Sequence, residues 1–401
     1  YLDEDLSYYS VYDFSDLNEN IHVYDGEDSV LTLNVYENYL ELVYNSDLFS
    51  DIYIEHMVKN IENLIGNILD SPNLPVSDID ILSDEEKDLL SQYCKGKTAE
   101  VDENKFLSLA FRENAKKYPD VVAVDDGINK ITFWELEKSS NSIANDLHEI
   151  YGITHGSHVA LMLPRTYHFP ELVLALNKIG ATFIPIDLFY PFKRIEYMLK
   201  FSQSKYIVTT REVASAFGLK DGVICIEDLN DSNDVDVDIV TRAEDLFTII
   251  FTSGTTGLPK GVMVSNSQVP GVGISFKEIF NYSQGDVIGN YLGFTFVASF
   301  VIYAALYFGG CCRIFNEREQ KDSLLLIKEL KENHMNSLIL PPNIGIPIYE
   351  NEDLQLDYLV LAGAKLNELS KKEKHTKLIN FYGTTEIVCG VTKIYDLKDM
   401  E

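Results

Sequence analysis

Apolar and polar residues alternate over positions 30–36 and again over 39–44, with Glu37-Asn38 between the two runs. A period of two on both sides of a short polar pair predicts a β-hairpin. The period then changes. After Ser50-Asp51, a candidate N-cap, apolar residues stand at Ile54, Met57, Val58, Ile61, Leu64, Ile65 and Ile68. Steps of three and four predict an amphipathic helix. Hairpin and helix make residues 1–70 one α+β unit. Pro72, Pro75 and the acidic run from Asp78 to Asp88 mark residues 71–103 as a linker in which Leu82-Ser-Asp-Glu-Glu-Lys opens a short helix. From residue 104 the chain alternates between buried strands and helices. Strands are predicted over 158–163, 181–186, 205–209 and 246–250, with helices over 170–178 and 191–201. Such alternation argues for the α/β class and a parallel, doubly wound sheet over residues 104–401.

From Val287 to Cys312 no residue is charged, a length that suits a membrane span. Gly289, Asn290 and Gly293 interrupt its start, Gly309-Gly310 breaks its end, and no Lys/Arg cluster flanks it. Only 295–308 reads as continuous helix, too short to span, so a buried core helix is expected.

Charge narrows the partners. Asp and Glu number 63 against 33 Lys and Arg, a formal charge of −30 over 401 residues. That opposes binding to nucleic acid or to an anionic membrane. The cysteines, Cys94, Cys225, Cys311, Cys312 and Cys389, include no CxxC pair, so reduced thiols in a cytoplasmic protein are expected. The start carries neither Met nor a signal-peptide pattern, which suggests a chain that begins inside a longer polypeptide. Five Asp within 228–238 read as a solvated loop, not as a metal site.

The densest chemistry is Phe251-Thr-Ser-Gly-Thr-Thr-Gly-Leu-Pro-Lys-Gly261, directly after the strand at 246–250. Glycines let backbone N–H groups close on phosphate oxygens, hydroxyls add donors, and Lys260 adds a point charge. A flexible surface turn would use the same residues, but Pro259 stiffens the loop and a strand feeds it. The spacing fails the P-loop pattern GxxxxGK[ST], and Lys260 opens no helix.

The string TSGTTGLPKG closely resembles the phosphate-binding signature of the adenylate-forming enzymes, which include acyl-CoA ligases, luciferases and the adenylation domains of nonribosomal peptide synthetases. The resemblance implies ATP-dependent activation of a carboxylic acid as acyl-AMP, with Thr252, Ser253, Gly254, Thr255, Thr256, Gly257 and Lys260 on the phosphates. Asn380-Phe-Tyr-Gly-Thr-Thr-Glu386 is similar to the family's NxYGPTE, with Thr384 where Pro is usual. It implies Asn380 and Tyr382 on the adenine, Gly383 in the turn, Thr385 on the α-phosphate and Glu386 on Mg²⁺. Leu361-Ala-Gly363-Ala364 resembles the backbone loop beside the adenine. Ile131-Thr-Phe-Trp-Glu-Leu136 resembles LTYxEL, and GATFIPIDLFYPFKRI from Gly180 resembles a segment typical of peptide-synthetase adenylation domains. Alignment through Phe296-Val-Ala-Ser-Phe-Val301 maps an acyl pocket onto Phe296, Val297, Ala298, Val301, Asn343, Val360, Ala362, Phe381, Cys389 and Gly390, with Val297 where amino-acid-activating members carry Asp. LELVYNSDLFSDIYIEHMVKNIENLIGNIL resembles the C-terminal end of a condensation domain, without that family's HHxxxDG motif.

Together these imply a condensation-domain tail over 1–70, a linker over 71–103 and the large subdomain of an adenylation domain over 104–401. ATP and Mg²⁺ would be used, and the acyl group would pass to the phosphopantetheine of a carrier domain. The expected partners are that carrier domain, the acid, and the remainder of the condensation and adenylation domains. The family's ribose-binding Asp and C-terminal catalytic Lys have no counterpart in the sequence, so weak catalysis by these residues alone is expected. The alternatives are a stand-alone acyl-CoA or aryl-acid ligase and a non-catalytic nucleotide-binding module.

Overall fold

The structure, a computed structural model, describes residues 30–36, 39–95, 100–229, 233–253, 258–364, 374–388 and 391–395. The chain divides into two compact units, Tyr1–Thr98 and Ala99–Glu401.

In the first unit the alternating runs form antiparallel strands Leu31–Val35 and Leu40–Tyr44, with Leu33 opposite Leu42. Glu37-Asn38 lie outside the described residues. Helix Asp51–Asp70 starts as the sequence predicts, the Ser50 side chain accepting from the Tyr53 N–H, and buries only Ile54 among its residues. The segment read as a linker carries helix Asp84–Cys94, capped reciprocally by Ser83 and Glu86.

The second unit holds two sheets, whose interiors are parallel and whose antiparallel pairs lie at their edges. The six-stranded sheet runs Lys260–Ser265, Leu246–Thr252, Thr182–Pro185, His158–Met162, Tyr206–Thr209, Val223–Cys225. The eight-stranded sheet runs Val391–Tyr395, Lys377–Tyr382, Leu356–Ala362, Met335–Leu340, Val287–Asn290, Cys311–Ile314, Val122–Asp125, Lys130–Thr132. This is the α/β class with parallel sheets that the alternation predicts. In each sheet one strand has the next strand in sequence on one side and the following strand on the other: His158–Met162 in the first, Val287–Asn290 in the second. Open α/β sheets bind ligands outside the carboxyl ends of strands at such reversals.

The core helices include His168–Lys178, whose residues from Phe169 onward are all buried. Gly180 follows at φ +69°, where a Cβ would stand 2.6 Å from the His155 ring, so glycine is required there. Among the described residues no helix is long and apolar enough to cross a membrane.

One expectation needs correction. The stretch 295–308 is not one helix: a 3-10 turn, Val297–Phe300, leads into helix Val301–Phe308. Phe294 is the reason. It is buried against Phe169, with ring centroids 3.9 Å apart, which holds the chain as a loop until Phe296. The acidic run 228–238 reads as a solvated loop in the sequence, and its described carboxylates Asp228, Asp234, Asp236 and Asp238 are exposed. Asn145 Nδ2 donates to the Asn233 and Val235 carbonyls, Asn141 Nδ2 to Asp236, Arg112 to the Val237 carbonyl, and Lys138 pairs with Asp234 at 2.6 Å. Through these bonds residues 233–237 are held to helices Leu107–Lys117 and Phe133–Glu149. Among the described residues no cluster of His, Cys, Asp and Glu could hold a metal ion.

Candidate functional site

Strands Leu246–Thr252 and Lys260–Ser265 form an antiparallel hairpin, with Lys260 opposite Thr252 and Gly261 opposite Phe251. Lys260 therefore opens a strand, not a helix. Ser253 and Lys260 are exposed and Thr252 is half-buried at the mouth of the turn. Gly254, Thr255, Thr256 and Gly257 lie outside the described residues. Phe251 is buried at the base of the hairpin.

The second signature ends strand Lys377–Tyr382. Parallel pairing with Leu356–Ala362 sets Asn380 opposite Leu361 and Phe381 opposite Ala362. Gly363-Ala364 and the turn after Tyr382 therefore leave the same sheet side by side at its carboxyl edge. Gly363 adopts φ +88°, a conformation that turns the backbone over with no side-chain penalty. Phe381 is buried and Tyr382 is 70% exposed, as strand alternation requires. Gly383 is exposed, Thr385 half-buried and Glu386 exposed. The Val388 N–H donates to the Thr385 carbonyl at 3.3 Å, and Val388, buried at 6% exposure, anchors this turn.

The aligned acyl-pocket residues separate into two groups. Val301, Val360, Ala362 and Phe381 are buried in one core, and half-buried Val297 and Ala298 pack against it. Phe381 lies against Phe276 at 6.1 Å. Phe296 is 60% exposed, and Asn343 is exposed on helix Pro342–Asn351. Cys389 and Gly390 lie outside the described residues. The described wall is apolar throughout.

Two residues that sequence reasoning missed stand where the sheets meet. Arg165 follows strand His158–Met162 and is 7% exposed, yet no carboxylate bonds its guanidinium. Burial pulls it down to about 10, opposed by Glu317, and it stays charged at neutral pH. Asn290 ends strand Val287–Asn290 and keeps its Nδ2 buried with no partner among the described residues. Its cross-strand neighbours Ile314 and Ile339 are apolar core residues. Sequence inspection could have found neither, because each reads as an ordinary loop or strand-end polar residue until both sheets are assembled.

Comparison with known proteins agrees with this arrangement. The model of the family "AMP-binding enzyme" matches residues 111–401. Surfactin synthase subunit 2 of Bacillus subtilis (strain 168) is 29% identical over 356 residues, covering 86% of this chain and 10% of that protein. Gramicidin S synthase 2 of Brevibacillus brevis is 27% identical over 371 residues, covering 89% of this chain and 8% of that protein. The chain thus spans about a tenth of the length of these curated relatives. Among solved structures, a four-domain nonribosomal peptide synthetase bound to AMP and glycine superposes with a TM-score of 0.79 at 22% identity, covering 92% of this chain and 29% of that one. The N-terminal subdomain of Klebsiella oxytoca NpsA in complex with 3-hydroxybenzoyl-AMSN gives 0.66 at 23%, covering 75% and 78%. These likenesses establish the fold, and the match over 111–401 establishes the family: the chain belongs to the AMP-binding enzymes.

Proposed function

We propose that residues 104–401 are the large subdomain of an adenylation domain, which activates a carboxylic acid with ATP as acyl-AMP. In this reading the chain is a segment of a cytoplasmic nonribosomal peptide synthetase, with 1–70 the tail of a condensation domain and 71–103 a linker. The acyl group would pass to the phosphopantetheine of a carrier domain. The observation that carries the reading is the pairing of Ala362 with Phe381, which sets Gly363-Ala364 beside Asn380–Thr385 at the carboxyl edge of a parallel sheet.

The roles follow from chemistry. Tyr382 offers an exposed ring for stacking on the base, and Asn380 stands at the same strand end for its polar edge. Lys260 with Thr252 and Ser253, continued by Gly254–Gly257, supplies positive charge and donors to the phosphates. Thr385 supplies a hydroxyl for the α-phosphate. Glu386 fits Mg²⁺: it is an exposed hard-oxygen donor with no ion pair among the described residues, and the ion would offset phosphate charge there. Catalysis in such a site is positioning and charge stabilisation.

Binding by the chain tests this. Calorimetry would compare AMP and ATP with non-hydrolysable acyl-sulfamoyladenosines carrying benzoyl, 3-methylbutanoyl, 2-hydroxy-3-methylbutanoyl and valyl groups. At least one mimic should bind about tenfold tighter than AMP, or about 1.4 kcal/mol. Lys260→Ala should weaken ATP by about tenfold, with the melting temperature unchanged because an exposed lysine adds little to the core. If no mimic binds more tightly than AMP, acyl activation fails and a nucleotide-binding module remains.

A further inference from the structure

Arg165 lies three residues beyond the strand that reverses direction in the six-stranded sheet. Its guanidinium reaches across to the other sheet. Nε donates to the Phe315 carbonyl at 2.6 Å, Nη1 to the Leu292 carbonyl at 2.7 Å and Nη2 to the Asn290 carbonyl at 2.8 Å. Asn290 ends the strand that reverses direction in the eight-stranded sheet, and Phe315 directly follows its neighbour. One side chain therefore ties the two reversal points together. It also lies over the Phe294 ring, 5.0 Å from the centroid, and its own backbone N–H is held by Glu317 at 2.9 Å.

The segment it holds is the one that becomes the acyl wall. From Leu292 the chain runs through Gly293 and Phe294 to Phe296 and the 3-10 turn Val297–Phe300. The Phe296 N–H donates to the Gly293 carbonyl at 3.1 Å and the Ser299 N–H to the Phe296 carbonyl at 2.9 Å. Arg165 and Phe296 line one cleft, with Asp187 and Glu317. We infer that Arg165 is a positioning residue for acyl recognition: its contacts to the Asn290 and Leu292 carbonyls, braced by the one to Phe315, hold the segment that leads into the Val297–Val301 wall, and so set the fit of the acid, without touching the nucleotide. This rests on the adenylation reading above. An arginine fork suits the task because three divergent N–H groups can serve three carbonyls at once, whereas a lysine offers one compact charge that cannot span them.

Arg165→Lys tests it, with AMP and the tightest of the four acyl-sulfamoyladenosines as probes. The variant should keep AMP affinity within about twofold and lose about tenfold for the acyl mimic. Equal weakening of both probes, or an unchanged preference for the mimic, overturns the inference. A purely structural role would lower the melting temperature and weaken both probes alike. Hydrogen exchange in the unsubstituted chain gives an answer that does not depend on the variant folding. The Phe296 and Ser299 amides should exchange as slowly as those of the core strands, and exchange at the rate of exposed loops overturns the inference. Failure of the adenylation reading looks different, because the unsubstituted chain would then prefer none of the mimics over AMP.

Discussion

At the scale of single residues, the apolar wall proposed for the acyl site would limit what acid can enter. Val297, Ala298, Val301, Val360, Ala362 and Phe381 offer no carboxylate to a cation. In the proposed acyl site an α-amino acid would bring its ammonium against these apolar side chains. A buried charge needs a partner, and breaking such a pair costs roughly 3–5 kcal/mol, about two to four decades in affinity. A hydroxy, keto, aryl or short aliphatic acid carries no such burden. The 2-hydroxy-3-methylbutanoyl mimic should therefore bind the chain at least about tenfold more tightly than the valyl mimic, which differs only in hydroxyl against ammonium. Val297→Asp should narrow that ratio by about tenfold, since it supplies the missing carboxylate at the wall. A valyl mimic that binds as well as its hydroxy analogue contradicts this reading of the pocket.

At the scale of elements, what could be read depended on whether a pattern is local. Period-two alternation, the Ser50 cap and the glycine stop at Gly309 placed the hairpin, the long helix and the end of helix Val301–Phe308, because each signal lies within a few residues of its effect. The turn at Val297–Phe300 was illegible, since the residues just before it, Leu292 and Phe294, are held by Arg165 and Phe169 from more than a hundred positions away. The bonds from helix Phe133–Glu149 to residues 233–236 were illegible for the same reason, as was the buried network on that helix. Lys178 looked like an ordinary basic residue at a helix end. It is fully buried, and its amine donates to the Glu137 carboxylate at 2.8 Å, Ser140 Oγ at 2.8 Å and Asn141 Oδ1 at 2.7 Å. Arg112 bonds the other Glu137 oxygen at 2.8 Å. Burial pulls the Lys178 amine down to about 8, and the Glu137 charge opposes the shift. Removing one partner from such a pair leaves the other charge buried. Lys178→Met should cost about 3–5 kcal/mol in urea unfolding, and Lys178→Met with Glu137→Gln should cost less than the sum of the two single changes. A loss for Lys178→Met below about 1 kcal/mol would place the network among weak surface pairs.

At the scale of the whole molecule, the chain divides near residue 98, and the candidate site draws only on the second unit. Every residue assigned to phosphate, adenine or acyl wall lies between Thr252 and Gly390, inside the family match over 111–401. The first unit is built differently. Its helix Asp51–Asp70 buries one residue, while Leu33, Val43, Ile52 and Leu69 remain exposed. Among the described residues of this unit so little burial adds little free energy, at roughly 25 cal/mol per Å² of apolar surface removed from water. The second unit carries its own core, in which all the largest fully buried side chains lie. Residues 99–401 should therefore unfold as one cooperative transition without residues 1–98, and should bind AMP within about threefold of the whole chain, a difference of about 0.6 kcal/mol. Calorimetric titration of both proteins with AMP decides it. A loss above about tenfold would mean that the first unit contributes to the nucleotide site, against the confinement of every assigned residue to the second.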